Sequence, residues 1–132
     1  MGLSTESGLN TTSIGDDLAE EILINYSDGV ATVTLNRPDK RNAINYDGWL
    51  ELRRIAENLS VRDDVWVVVI TGAGDKAFSA GADIADFDQY RSNSEQAAVY
   101  AEAFEGAMNA IEAIPKPTIC LIKGFCVGGG CE

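Results

Sequence analysis

Hydrophobic and polar positions along the chain fall into two periods, and their order predicts the architecture. Ile22-Leu23-Ile24-Asn25-Tyr26, a turn at Ser27-Asp28-Gly29, and Val30-Ala31-Thr32-Val33-Thr34-Leu35 read as two strands of a hairpin, the second alternating as a half-buried strand does. Pro38 and its polar neighbours break the second strand. Trp49, Leu52, Ala56 and Leu59 then lie on one face of a helix over about 46–60, with Asn45 as its cap. Val65-Trp66-Val67-Val68-Val69-Ile70 is continuously apolar, which predicts a strand covered on both faces, as in a parallel sheet. A loop of small residues follows over 71–83. Ser92 and Glu95 have capping-box spacing ahead of a helix over about 94–114, with Val99, Phe104, Met108, Ile111 and Ile114 at helical intervals and Pro115 and Pro117 as its stop. Residues 118–122 predict a third buried strand, and residues 124–130 turn the chain toward another helix. Strands alternating with helices predict an α/β fold.

Composition refines this picture at the amino terminus. Residues 1–18 are rich in Ser, Thr, Gly and Asn and predict a disordered tail ahead of one domain over residues 19–132. Ten basic residues against 21 acidic ones give a net charge of −11, so the global field repels nucleic acid and anionic membrane surfaces. Neither is expected as a partner, and an anionic ligand needs a local basic cluster. No run reaches membrane-spanning length and the start lacks signal-peptide order, so the expected location is cytoplasmic. Cys120, Cys126 and Cys131 are an odd set that argues against a disulfide framework and predicts three buried small apolar residues. The chain has no histidine, which excludes a Ser-His-Asp or Cys-His nucleophile within it and leaves no metal site expected.

Several glycine motifs compete for the chemistry. Gly72-Ala73-Gly74-Asp75-Lys76-Ala77 fits a dinucleotide-binding pattern, but small residues continue where that pattern needs a helix. Ala77-Phe78-Ser79-Ala80-Gly81 approximates a nucleophile elbow with its first glycine replaced, and without histidine Ser79 reads as a packing or turn residue. Two loops remain, Ser79-Ala80-Gly81-Ala82-Asp83-Ile84 and Val127-Gly128-Gly129-Gly130-Cys131-Glu132. Glycines after a strand, followed at once by a carboxylate, suit backbone stabilisation of an oxyanion beside a general base.

In order along the chain, Thr34-Leu35-Asn36-Arg37-Pro38 with Asn42-Ala43, Val68-Val69-Ile70-Thr71-Gly72 leading into Ala77 through Ile84, and Lys116-Pro117 through Gly124 to Glu132 form a pattern. It resembles the amino-terminal half of the crotonase superfamily, the enoyl-CoA hydratase/isomerase family, from about residue 21 onward. The resemblance implies an α/β fold of crotonase-like repeated β-β-α units wound as a spiral, truncated here before the carboxy-terminal half. It implies an acyl-CoA thioester as substrate, with coenzyme A part of that substrate and no separate cofactor. The amides of Ala82 and Gly129 would hold the thioester oxygen, and Glu132 would activate water or shuttle a proton. Lys40 and Arg41 would contact the CoA phosphates and Ala43 the nucleotide. Ala80, Asp83 and Ile84 would line the adenine and thioester region, and Val127 and Gly128 would complete the substrate-binding set. A homotrimer or hexamer is the assembly it implies for the full-length protein. Family hydratases use a second glutamate beyond residue 132, so both hydration and double-bond isomerisation stay open. The 132 residues alone are expected to be inactive or unstable, and a truncated, non-catalytic acyl-CoA-binding or assembly fragment is the alternative. A Clp-type serine protease is disfavoured by the absent histidine.

Overall fold

A computed structural model describes residues 20–132. The tail expected over residues 1–18 lies outside the described residues. Strands β1 (Ile22–Ser27) and β2 (Val30–Leu35) pair antiparallel across the Asp28-Gly29 turn, which forms the predicted hairpin. Beyond β2, the sheet continues in parallel through β3 (Val67–Gly72) to β5 (Thr118–Leu121), in the order β1-β2-β3-β5. Helix α1 (Tyr46–Val61) makes the crossover from β2 to β3. It starts at the predicted cap, where Asn45 Oδ1 accepts from the Gly48 amide at 2.8 Å and satisfies an otherwise orphan donor. At its other end the Lys116 ammonium donates to the Leu59 and Arg62 carbonyls, the negative pole of the helix. Trp49, Leu52, Ile55, Ala56 and Leu59 are buried against β2, β3 and helix α3 (Ser94–Glu112). Each of the Leu and Ile side chains among them contributes about 1.5–3 kcal/mol on leaving water.

Several expectations need correction. Helix α3 is capped by Asn93, whose Oδ1 accepts from the Gln96 amide at 2.7 Å, while the Ser92 hydroxyl turns back to the Gln89 carbonyl and the Gln96 side chain. Asn93 holds the extended conformation a cap requires, so the Ser92-Glu95 box does not form. The fully buried positions of α3 are Tyr100, Ala103 and Ala107; of the predicted stripe, Ile114 just beyond the helix is buried, Phe104, Met108 and Ile111 pack half-buried against the core, and Val99 is exposed. The small alanines let α3 approach α1, where the Trp49 indole N–H donates to the Tyr100 hydroxyl at 2.8 Å and the Trp49 ring meets Phe104 edge-to-face.

The 71–83 loop contains strand β4 (Ala77–Ser79), which pairs parallel with β6 (Phe125–Cys126) in a second, two-stranded sheet. It then enters a further helix, α2 (Ile84–Tyr90), capped by Asp83. The strands expected to be buried on both faces are not. In β3 only alternate residues, Val68, Ile70 and Gly72, are buried, and β5 is exposed throughout. Cys120 and Cys131 are exposed and Cys126 is half-buried, against the expectation of three buried thiols. Among the described residues β5 is the outer strand of its sheet, which leaves Cys120 exposed. No helix among the described residues is long and apolar enough to cross a membrane.

Candidate functional site

The site grows from the end of β4. Segment 37–44 runs alongside residues 79–83 and is stitched to them by backbone bonds: Ala80 N to Arg41 O at 2.9 Å, Ile44 N to Gly81 O at 2.8 Å, and Asp83 N to Ile44 O at 2.9 Å. Buried side chains complete the seam. Asn42, 1% exposed, donates from Nδ2 to the Ala77 carbonyl at 2.8 Å and the Ala73 carbonyl at 3.0 Å, and its Oδ1 accepts from the Arg37 amide at 2.9 Å. Every polar atom of that buried amide therefore has a partner. Arg37 in turn donates from Nη1 to the Ala43 carbonyl at 2.8 Å and pairs through Nη2 with Asp83 at 3.1 Å. Burial opposes ionisation of Asp83, but the Asp86 and Ala85 amides and the Arg37 guanidinium outweigh it and hold the carboxyl below its ordinary value.

From β6 the chain enters a single 3-10 turn, Gly128–Gly130, which lies directly against Gly81. Gly81 has φ +88°, and a Cβ there would stand 2.8 Å from the Gly129 nitrogen and 3.0 Å from the Val127 oxygen. A side chain at 81 is thus excluded twice, by backbone conformation and by the neighbouring loop. Gly129 sits on an aromatic floor: a Cβ there would come within 3.1 Å of Trp49 and 3.2 Å of Phe104, whose rings meet edge-to-face at 4.8 Å.

The two peptides that precede Ala82 and Gly129 share an arrangement. Gly81 O accepts from Ile44 N, and Gly128 O accepts from Cys131 N at 2.9 Å and Glu132 N at 3.3 Å. In a trans peptide the N–H points opposite to the C=O, so holding each carbonyl also restrains the aim of the Ala82 or Gly129 N–H. Among the described residues neither N–H donates a hydrogen bond. Unspent donors on touching loops are what stabilisation of a negative oxygen requires.

The remaining expected residues divide into groups. Ala43, Ala80 and Asp83 lie along the same seam as Ala82, while Ile84 is exposed at the start of α2 and Val127 is exposed beside Gly128. Lys40 and Arg41 are exposed on the turn that begins at Pro38, and neither has an ion pair among the described residues. Glu132 lines a cavity of about 680 Å³ together with Gly129, Gly130, Phe78, Met108 and Ile122. Ser79 is the packing and turn residue the sequence suggested. Sequence reasoning missed Asn42 and Arg37 as structural partners of the loop, since both stood out only as part of a motif.

Comparison with known proteins bears on the fold and the family of the chain. The family model described as enoyl-CoA hydratase/isomerase matches residues 25–132. Crotonyl-CoA hydratase of Syntrophomonas wolfei is 39% identical over 113 residues, covering 86% of this chain and 43% of that protein. The mitochondrial Delta(3,5)-Delta(2,4)-dienoyl-CoA isomerase of Mus musculus is 37% identical over 112 residues, covering 78% of this chain and 34% of its own length. A crystal structure of an enoyl-CoA hydratase/carnithine racemase from Magnetospirillum magneticum superposes with a TM-score of 0.80 at 44% identity, over 85% of this chain and 42% of that one. The chain thus spans less than half the length of the relatives it matches.

Proposed function

This chain belongs to the enoyl-CoA hydratase/isomerase family, and from that premise we propose that the full-length protein binds an acyl-CoA thioester with its carbonyl oxygen between the Ala82 and Gly129 amides. Glu132 then moves the proton of the reaction. The observation that carries this reading is the pair of unspent N–H groups, each aimed by a fixed carbonyl, on loops that touch at Gly81. In hydration, Glu132 takes a proton from water as the water oxygen bonds to the β carbon. The double-bond electrons move toward the carbonyl oxygen, and as they return the α carbon takes the proton that Glu132 gained from the water, which completes the addition and restores the carboxylate. In isomerisation of a 3-enoyl thioester, the same carboxylate removes the α proton and returns it to the γ carbon. Both routes place negative charge on the thioester oxygen, where loss of one such donor costs about 3 kcal/mol. Lys40 and Arg41, exposed beside the Ala80 loop, supply cations for the CoA phosphates in an otherwise acidic chain.

Conjugated thioester absorbance separates the two routes, because hydration of a 2-enoyl-CoA removes it and isomerisation of a 3-enoyl-CoA creates it. With the full-length protein, Glu132→Gln should lower the active route by roughly 10²–10⁴-fold. A variant as fast as the parent on both substrates would sink the assigned role.

A further inference from the structure

Ser79 is fully buried, and both amide-bearing loops meet on it. Its hydroxyl donates to the Asn42 carbonyl at 2.9 Å and accepts from the Gly81 amide at 3.0 Å, one residue before Ala82. Its carbonyl accepts from the Val127 amide at 3.2 Å, two residues before Gly129. Gly130 lies so close that a Cβ there would stand 2.4 Å from the Ser79 oxygen. One residue therefore holds the first loop through its side chain and the second through its backbone. We propose that Ser79 is a positioning residue that sets the aim of the Ala82 amide relative to Gly129, and so the spacing of the two donors across which the thioester oxygen is held.

The physical reason lies in the Gly81 peptides. The carbonyl of Gly81 is held by Ile44, whereas among the described residues its N–H is held by the Ser79 hydroxyl alone. With φ +88° at Gly81, the backbone there has more freedom than at an ordinary residue. Removing the hydroxyl frees one end of that residue, leaves the buried Asn42 carbonyl short of a donor, and lets the following peptide tilt. A tilt at a donor changes how strongly it meets the developing charge, while contacts with the rest of the substrate persist.

The inference rests on the function proposed above, and the experiment keeps the two apart. Ser79→Ala, Ser79→Cys and Glu132→Gln are compared in the full-length protein for unfolding, for kcat and KM, and for the infrared carbonyl stretch of bound, carbon-13-labelled butyryl-CoA, a saturated thioester that cannot react. Positioning predicts kcat lower by about 10–100-fold in Ser79→Ala, KM within about threefold, and a thioester stretch shifted back toward its value in water. Ser79→Cys, which keeps a weaker donor and acceptor, should fall between, and it carries the test if the alanine variant does not fold. A Ser79 variant that unfolds more easily but keeps the parent kcat and carbonyl stretch overturns the proposal. If Glu132→Gln is slow in that case, the proposed function survives without it. If Glu132→Gln is also unchanged, the proposed function falls with it.

Discussion

Substituting Gly81 separates two kinds of glycine requirement within one protein. Gly81 and Gly74 both have left-handed backbones, with φ of +88° and +78°. Their surroundings differ: a Cβ on Gly74 meets only Pro38 at 3.5 Å, an ordinary contact, whereas one on Gly81 meets the Gly129 nitrogen at 2.8 Å. Gly74→Ala should therefore cost only the conformational strain of about 1–2 kcal/mol. Gly81→Ala carries the same strain plus overpacking of about 1–3 kcal/mol, for a total near 2–5 kcal/mol. Ordinary contact begins at 3.4 Å, so the Gly129 amide must retreat by about 0.6 Å, the difference between 3.4 and 2.8 Å. Such a displacement of a proposed oxyanion donor should lower kcat by roughly 10–100-fold in Gly81→Ala and leave Gly74→Ala near the parent rate. Urea unfolding and steady-state kinetics on the two full-length variants measure both effects. Equal stability losses, or a parent-like kcat in Gly81→Ala, would refute the claim that the two loops hold each other in register.

Two further perturbations probe charge. The Asp83 carboxyl is held below its ordinary value in the folded state, so its contribution is present above the unfolded value of about 3.9 and is lost as pH falls through the lower folded value. The stability difference between the parent and Asp83→Asn should stay level from neutral pH down to about 4 and shrink below it; urea titrations at several pH values check this, and a difference unaltered in acid would contradict it. Lys40→Ala with Arg41→Ala should weaken binding of an acyl-CoA by about 3–10-fold per cation at low salt, with the effect fading as salt rises. Calorimetry reads it, and a salt-independent loss would point away from phosphate contacts.

What could be read from the sequence followed the length over which a pattern repeats. The hairpin and α1 were legible because their alternation and helical spacing run for six to sixteen residues. Strands β4 and β6, three and two residues long, are too short to show a period, and α2 has no buried residue to mark a face. The large residues of the α3 stripe other than Val99 do reach the core, but Ala103 and Ala107, which are buried more completely, carry no apolar signal of their own. Exposure of β5 is a property of what covers the sheet, which no local window contains. In the candidate site, the glycine loops and Glu132 were visible as local motifs. The seam of Asn42 and Ser79 was not, because its bonds join residues 35 and 37 positions apart.

Those distant bonds explain how the site can hold two open donors. Buried N–H groups are nearly always paired, since an unpaired one costs about 1–3 kcal/mol, a cost that falls as water gains access. Ala82 and Gly129 are both half-buried, and both lack a partner among the described residues. Around them nearly every other group is spent: Asn42 uses both amide protons and its oxygen, Ser79 both donates and accepts, and Trp49, under Gly129, is locked by Tyr100. A peptide free to rotate would turn its N–H toward water or a nearby carbonyl. These two are held back, because their carbonyls are bonded by Ile44 and by Cys131 and Glu132, and on the Ala82 side because the Ser79 hydroxyl also holds the Gly81 amide. The cost of the open donors is thus carried by the fold before any ligand arrives, and a thioester oxygen entering between them would meet dipoles that need no reorganisation.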